Sequence, residues 1–371
     1  MIKFGHIKSF LVCFAPLSAI FLAIVSFLAW DVSTERERTI ASDQRFALEQ
    51  SISILRERLE VVVSDLLILS ESRQLEAVIE GRVPEEELAE EYAVFSQRRG
   101  VYDQVRFLDK DGMEIIRVNY GGGIPYAVPG RDLQDKSSRP YFQFANNAPR
   151  GTIYVSRIEL NEEFGEIERP IKPVFDRYGQ RQGVVVLNLR AGPILDEMTA
   201  ELSGDGAQGF VLNHHGHWIE GGEAGENWAQ ELNGAAVGLG DRFPTAWENM
   251  RQGHESFTTD DGFYSVRRLD VSSLLLAQNA TRTLSVIIGE PDSKVNDLNL
   301  FVGMRLPSDI YEAMLRPDRG LLISVSAAFF VLIAIGSGAY AWTRQRQIVA
   351  SFDARLSEQV LRASKNSVVV T

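Results

Sequence analysis

Two uncharged apolar runs bracket the chain. Residues 10–30 read FLVCFAPLSAIFLAIVSFLAW and residues 320–342 read GLLISVSAAFFVLIAIGSGAYAW. A helix needs about 20 apolar residues to cross a bilayer core, so each run predicts a transmembrane helix. Trp30, Tyr340 and Trp342 stand at their ends, where amphipathic rings favour the headgroup level. The first run is longer than the apolar segment of a cleaved signal peptide, and no small-x-small cleavage site follows it. An uncleaved anchor is therefore predicted.

Between the runs the pattern changes twice. Residues 33–80 contain no proline or glycine, and Leu48, Ile52, Leu55, Leu59, Val62, Leu66 and Leu69 recur at alternating spacings of four and three. That is a heptad seam. A second column, Ile54, Val61, Ile68 and Leu75, repeats at seven. The pattern predicts one long helix over 33–80, with one face on its own domain and the other on a twin helix in a homodimer. Gly81 ends it, and Pro84 opens another helix whose first turn carries Glu85, Glu86 and Glu87, where the helix dipole favours anions.

After Gly100 strands take over. VRFLD, a DKDG turn and MEIIRV predict a hairpin, followed by GTIYVSRIEL, a turn at 176–179 and GVVVLNL. A comparable unit then begins with GFVLN, a turn at His215 and Gly216, and HWIEG. It continues with HESFTT, GFYSVRRL and TLSVIIGE as further strands. The fold class expected is α+β: a long helix, then two tandem antiparallel sheets with flanking helices, between two membrane helices.

Charge sets the orientation. Lys3 and Lys8 precede the first apolar run without an acid, and five basic residues against two acidic ones follow the second. The net charge of −12 therefore leaves −17 between them. The positive-inside rule puts both termini (1–9 and 343–371) in the cytoplasm and residues 31–319 outside it, in the periplasm of a two-pass inner-membrane protein. So acidic a body argues against nucleic acid as a partner.

Candidate chemistry is sparse. Cys13 cannot form an intrachain disulfide, being the single cysteine. The DKDG turn lacks the later ligands of a calcium loop, and Gly121, Gly122 and Gly123 lack the Lys-Ser/Thr ending of a phosphate loop. His214, His215 and His217 carry metal-ligating groups, but neighbouring strand residues point to opposite faces, so a plain turn is expected and no metal or cofactor. Glu162 and Glu163 are expected to be solvated. No kinase, cyclase or hydrolase motif occurs, so the chain is expected not to be an enzyme.

Several segments together resemble one family. VRFLDKDGMEIIRV, LQDKSSRPYFQFA, TIYVSRIELN and GVVVLNL, followed by GFVLNHHGHWIEG, ENWAQEL and FPTAWENM, resemble in order and spacing the double Cache sensor, two PAS-like domains in tandem. Such sensors are fused to histidine kinases, diguanylate cyclases and chemoreceptors. The resemblance covers about 33–310 and implies a membrane-distal domain over 81–198 and a membrane-proximal one over 199–310. It also implies a ligand pocket in the distal domain. Carried over by position, Arg139, Tyr141 and Phe142 face the ligand, Tyr154 and Ser156 lie on a pocket strand, and Asn188 stands near the position of an Asp that grips the ammonium of amino-acid ligands; the alternative is that Tyr141 and Phe142 are core and Arg139 a surface charge. With Asn there, a carboxylate without an amino group is the expected ligand. One departure is that 167–176 runs short by about one strand, which puts the pocket in doubt. After Trp342 the tail continues at helical spacing (Val349, Phe352, Leu356), as the start of a signalling helix toward a cytoplasmic or membrane partner. The reading is a signal-sensing receptor. Its alternative is a membrane-anchored accessory protein that contacts another receptor and binds no ligand itself.

Overall fold

The computed structural model describes residues 2–367 apart from 122, 157–158, 162–164, 169, 236, 272–273, 275–284, 289–298 and 317–318. Glu162, Glu163 and Gly122 lie outside the described residues. Two compact units emerge, one of residues 1–40 with 312–371 and one of residues 41–311.

The first unit is helical. Helix α1 (Ile2–Ser70) and the last helix (Arg319–Ser367) each contain a stretch long and apolar enough to cross a membrane. Only 6% and 11% of those stretches are buried, so neither is the core helix of a soluble domain. Phe21 stacks on Phe329 at 4.2 Å. Arg36 donates to the main-chain oxygens of Met314 and Arg316 at 3.2 and 2.5 Å, which satisfies carbonyls at a helix end.

The second unit holds two sheets built against α1. The helix ends at Ser70, earlier than the expected boundary at 80. The Ser72 hydroxyl accepts the Leu75 amide, which caps a separate short helix, α2 (Arg73–Ile79). Helix α3 (Glu85–Arg99) carries acids in its first turn, Arg98 and Arg99 in its last, and left-handed Gly100 as its stop. The first sheet uses β1 (Tyr102–Asp109), β2 (Glu114–Gly121), β3 (Ile124–Ala127), β4 (Thr152–Val155), β5 (Glu159–Asn161), β6 (Gly165–Glu168), β7 (Pro170–Phe175) and β8 (Arg181–Arg190). Helix α4 (Pro140–Asn147) lies between β3 and β4, and α5 (Gly192–Leu202) follows β8.

The second sheet uses β9 (Gln208–Leu212), β10 (Trp218–Glu220), β11 (Ser256–Thr259), β12 (Gly262–Asp270) and β14 (Asn299–Pro307), with α6 (Ala229–Asn233), α7 (Leu239–Arg242) and α8 (Pro244–Arg251) between β10 and β11. Its order is β10-β9-β14-β12-β11, all antiparallel. Helix α9 (Ser308–Leu315) follows, and α10 is the last helix already described.

One strand is placed differently from expectation. The VII of TLSVIIGE was expected to extend the second sheet. As β13 (Ser285–Ile288) it instead pairs in parallel with β4, at the edge of the first sheet. Within 167–176, β7 pairs with both β4 and β8. The first sheet therefore runs β13-β4-β7-β8-β1-β2-β3.

Each sheet has a face toward the long helix and a far face. All seven residues of the heptad seam are buried, and they share one core with Val105, Phe107, Val185 and Leu187 of the first sheet and Val211, Ile219, Leu300 and Val302 of the second. Each such side chain contributes about 1.5–3 kcal/mol of gross burial energy. The far face of the first sheet is covered by α4 around Leu108, Phe142, Tyr154, Ile171, Val184 and Val186. That of the second is covered by α7 and α8.

Candidate ligand-binding site

The far face of the first sheet divides into an apolar half and a polar half. Strand register sets this division. Tyr154, Ile171, Val186, Arg106 and Arg117 form one rung across β4, β7, β8, β1 and β2. Two residues along, Asn188, Gln104, Asn119 and Tyr126 form the next polar rung across β8, β1, β2 and β3. Alternation along each strand keeps Gln104, Arg106 and Leu108 on one side. Val105 and Phe107 face the long helix instead.

On the apolar half, Phe142 is buried in the cluster with Tyr154, and the Tyr154 ring lies 4.9 Å from that of Phe144. Tyr141 packs half-buried against the same cluster. Ser156 is buried just past β4. Arg139 is exposed and forms the N-cap of α4, its carbonyl accepting the amides of Phe142 and Gln143. Gly112 positions this start of α4: its φ is +95°, and a Cβ there would lie 2.6 Å from the Ser137 backbone and 2.9 Å from the Phe142 ring.

The polar half is a set of buried amides with cations beside them. Asn188 is fully buried and donates to Gln104 Oε1 at 3.0 Å. Asn119 donates to the Tyr126 hydroxyl at 3.0 Å. The Oδ1 atoms of Asn188 and Asn119 are buried without a hydrogen-bond partner among the described residues, a state that native interiors rarely leave uncompensated. Beside them Glu114 is buried, with Arg117 at 3.0 Å and Arg106 at 3.7 Å. Its other contact is the Gln134 amide at 3.0 Å. Lys136 donates to Gln134. Burial pushes the Lys136 ammonium below its ordinary pKa, and the nearby positive charges of Arg106, Arg139 and Arg117 push it the same way, against Glu114. Arg106, Arg117, Lys136 and Arg139 thus gather around one buried carboxylate, Glu114. Such a corner suits an anion supplied from outside.

Three hairpin turns follow one local rule. Asp109 Oδ1 accepts the amides of Asp111 and Met113, Asp176 Oδ1 those of Tyr178 and Gln180, and Asn213 Oδ1 those of His215 and His217. Each turn ends in a left-handed glycine, Gly112, Gly179 or Gly216. The DKDG and HHGH segments are therefore turns. Among the described residues no cluster of three or more metal-ligating side chains occurs.

The sequence profile of a family described as "Bacterial histidine kinase, sensor domain" matches residues 45–273, which take in the last part of the long helix, all of β1–β8 and most of the second sheet. The chain belongs to that family. The sensor domain is similar in structure to a domain of a protein assigned to the sensory box/GGDEF family from Vibrio parahaemolyticus. The TM-score is 0.56 at 16% identity, over 76% of this chain and 99% of that one. It is also similar to the extracellular domain assigned to the histidine kinase vpHK1S-Z8, with TM-score 0.57 at 17% identity, over 79% and 99%. The ligand-binding domain of the Campylobacter jejuni chemoreceptor Tlp3 in complex with L-valine has TM-score 0.50 at 9% identity, over 76% and 98%. No curated protein matches the chain in sequence. At these identities the structural likeness shows the fold, two PAS-like sheets behind a long helix.

Within the sensor domain, the structure brings Arg139 and Asn188 to the same sheet face as Tyr154 but seals Phe142 and Tyr154 among apolar neighbours. The sequence reading missed Gln104, Arg106, Glu114, Arg117, Asn119 and Lys136. Their signal was the period of two: Arg117 and Asn119 alternate with Ile116 and Val118, and Gln104 and Arg106 with Val105 and Phe107. Such alternation ordinarily means a solvated face, whereas here Gln104, Arg106 and Asn119 are 5–7% exposed.

Proposed function

We propose that the chain is a two-pass inner-membrane receptor whose first sheet binds a small carboxylate outside the cytoplasm. The observation that carries this reading is the convergence of Arg106, Arg117, Lys136 and Arg139 beside the buried amides of Gln104, Asn119 and Asn188. In it, the guanidinium forks hold the carboxylate, the amides of Gln104, Asn119 and Asn188 fix the polar remainder, and half-buried Tyr141 borders the apolar part. An amino-acid ligand such as that of the Tlp3 domain has an ammonium to place, and Glu114 is already engaged by two arginines. A carboxylate without an amino group suits the charge balance better.

In this reading residues 31–319 are periplasmic, both termini are cytoplasmic, and the two apolar helices anchor the chain. Binding acts by unequal affinity for two arrangements of the helices in a homodimer, and α10 carries the difference to a signalling partner. Val61 and Ile68 support the dimer, being 43% and 54% exposed on the outer side of α1.

Thermal unfolding of the full chain in detergent, with succinate, citrate, alanine and putrescine as probes, tests the reading. A carboxylate at 100 times its Kd adds about 2.7 kcal/mol, a rise of a few degrees, and Arg117→Gln or Arg139→Ala removes most of it. No response to any carboxylate, or a response that both substitutions leave intact, rejects the site.

A further inference from the structure

The second sheet has a cavity of its own, of about 510 Å³, on the far face from the long helix. The candidate site on the first sheet likewise lies on the face away from the long helix. The floor of the cavity in the second sheet is Phe210, Trp218, Phe243 and Tyr264, all buried, and its rim includes exposed Gln208 and Glu223. The size falls within the ordinary range for small-molecule sites.

The polar groups of the cavity are short of acceptors. Trp218 Nε1 and Arg305 Nε are buried donors without a hydrogen-bond partner among the described residues. Arg305 is held from three sides: it donates to Gln208 Oε1 at 3.0 Å and to the Asp261 carbonyl at 2.8 Å, and its guanidinium lies 4.4 Å from the Phe243 ring centroid. No carboxylate among the described residues pairs with it. The other cation of the lining, Arg242, is already neutralised by Glu223 and Glu226 at 3.0 and 2.5 Å. The lining thus carries one guanidinium without a carboxylate partner among the described residues and one indole N–H, their unpartnered donor atoms buried beside an aromatic floor. Unmade hydrogen bonds of buried donors are costly, and a ligand that supplies acceptors recovers them. Gly221 lets the chain pass this close to the sheet: at φ +83°, a Cβ there would stand 2.2 Å from the Gly209 carbonyl oxygen.

We infer that the second sheet is a separate binding site for a small organic anion with a flat or branched apolar body, its carboxylate on Arg305 and Trp218 and its body on Phe210 and Phe243. This site needs no ligand in the first sheet. The receptor would then read two chemical signals through one long helix, since both sheets pack on the same core.

Titration calorimetry on the full chain in detergent tests this, with benzoate, phenylacetate and isovalerate as probes and benzamide as the uncharged control. Saturable binding of at least one carboxylate, absent for benzamide, is expected. Arg305→Gln and Trp218→Phe should each weaken it by about tenfold or more, as loss of a buried donor does. Arg117→Gln, in the first sheet, should leave it unchanged. Near-ultraviolet circular dichroism shows whether each variant keeps its packing. If one does not, the other decides. No saturable heat with any carboxylate at about 10 mM, weaker than any useful affinity, overturns the inference, as does binding indifferent to the folded variants. Binding abolished by Arg117→Gln but not by Arg305→Gln assigns the ligand to the first sheet and also overturns it.

Discussion

The Lys172 ammonium on β7 lies 2.7 Å from the Glu71 carboxylate, immediately past the end of α1, and 3.0 Å from the Ser70 hydroxyl. Lys172 is buried on the face that meets the long helix, whereas Glu71 is mostly exposed. The contact ties the end of the long helix to the sheet that carries the candidate site. It also explains why the helix stops here: Ser70, Glu71 and Ser72 are engaged by β7 and by the α2 cap.

Lys172→Met keeps most of the aliphatic stem and removes these charge-assisted bonds. Glu71 can hydrate, so the expected loss is modest, about 1–2 kcal/mol. The more specific outcome is local. Amides at 67–71 should exchange with deuterium about tenfold faster, while those of β1 and β8 change little. Uniform acceleration across both sheets would show that the contact acts on global stability alone.

The two columns of α1 should respond differently. Leu59 and Leu66 are buried in the shared core, so Leu59→Ala or Leu66→Ala should cost about 2–5 kcal/mol in denaturant unfolding. Ile68 is exposed within the chain, so Ile68→Ser should alter the stability of one chain by about 0.5 kcal/mol or less. In the proposed dimer it should weaken self-association, read by analytical ultracentrifugation in detergent. Equal self-association in wild type and I68S at all concentrations would falsify the use of this column as a dimer face.

Heptad spacing made the long helix legible because 3.6-residue periodicity survives whatever the helix packs on. It could not say that one column faces two sheets of the same chain, since a seam buried in a partner and one buried at home read alike. The hairpins were legible from Asp-x-x-Gly and Asn-x-x-Gly turns. β13 was misplaced because an apolar run such as Ser285–Ile288 carries no mark of its partner, and parallel pairing with β4 spans a long stretch of sequence. At the site, the family resemblance pointed to α4. The polar ladder of Gln104, Asn119 and Asn188 depends on register between strands 15 to 84 residues apart, which no local pattern encodes.

Gly112 joins the β1–β2 turn to the start of α4. Gly112→Ala puts a side chain into a left-handed backbone at φ +95° and against Ser137 and Phe142. The expected cost is about 1–3 kcal/mol. Because α4 begins at Arg139, the substitution should also weaken carboxylate binding in the first sheet while leaving the cavity of the second untouched. Gly81→Ala, also left-handed at φ +66° but with open space around it, is the control for backbone strain alone: it should lower the melting temperature without changing affinity.

Asp103 gives a prediction in pH. It is buried at the β1 bulge with Arg190 at 3.4 Å, and burial pushes its pKa up to about 6, Arg190 opposing. The ordinary value is about 3.9. Between pH 4 and 6 the folded chain therefore holds a proton that the unfolded chain has released, and this group's contribution to stability falls as pH rises through that window. Above pH 6 to 7 the loss is complete, and it amounts to about 2–3 kcal/mol. Asp103→Asn removes this dependence while keeping an amide of similar shape, and Arg190 retains the Gly100 carbonyl. The stability of wild type relative to D103N, measured by urea unfolding, should thus drop between pH 4.5 and 7. If wild type instead gains on the variant as pH rises, attraction to Arg190 outweighs burial and the assignment of the shift is reversed.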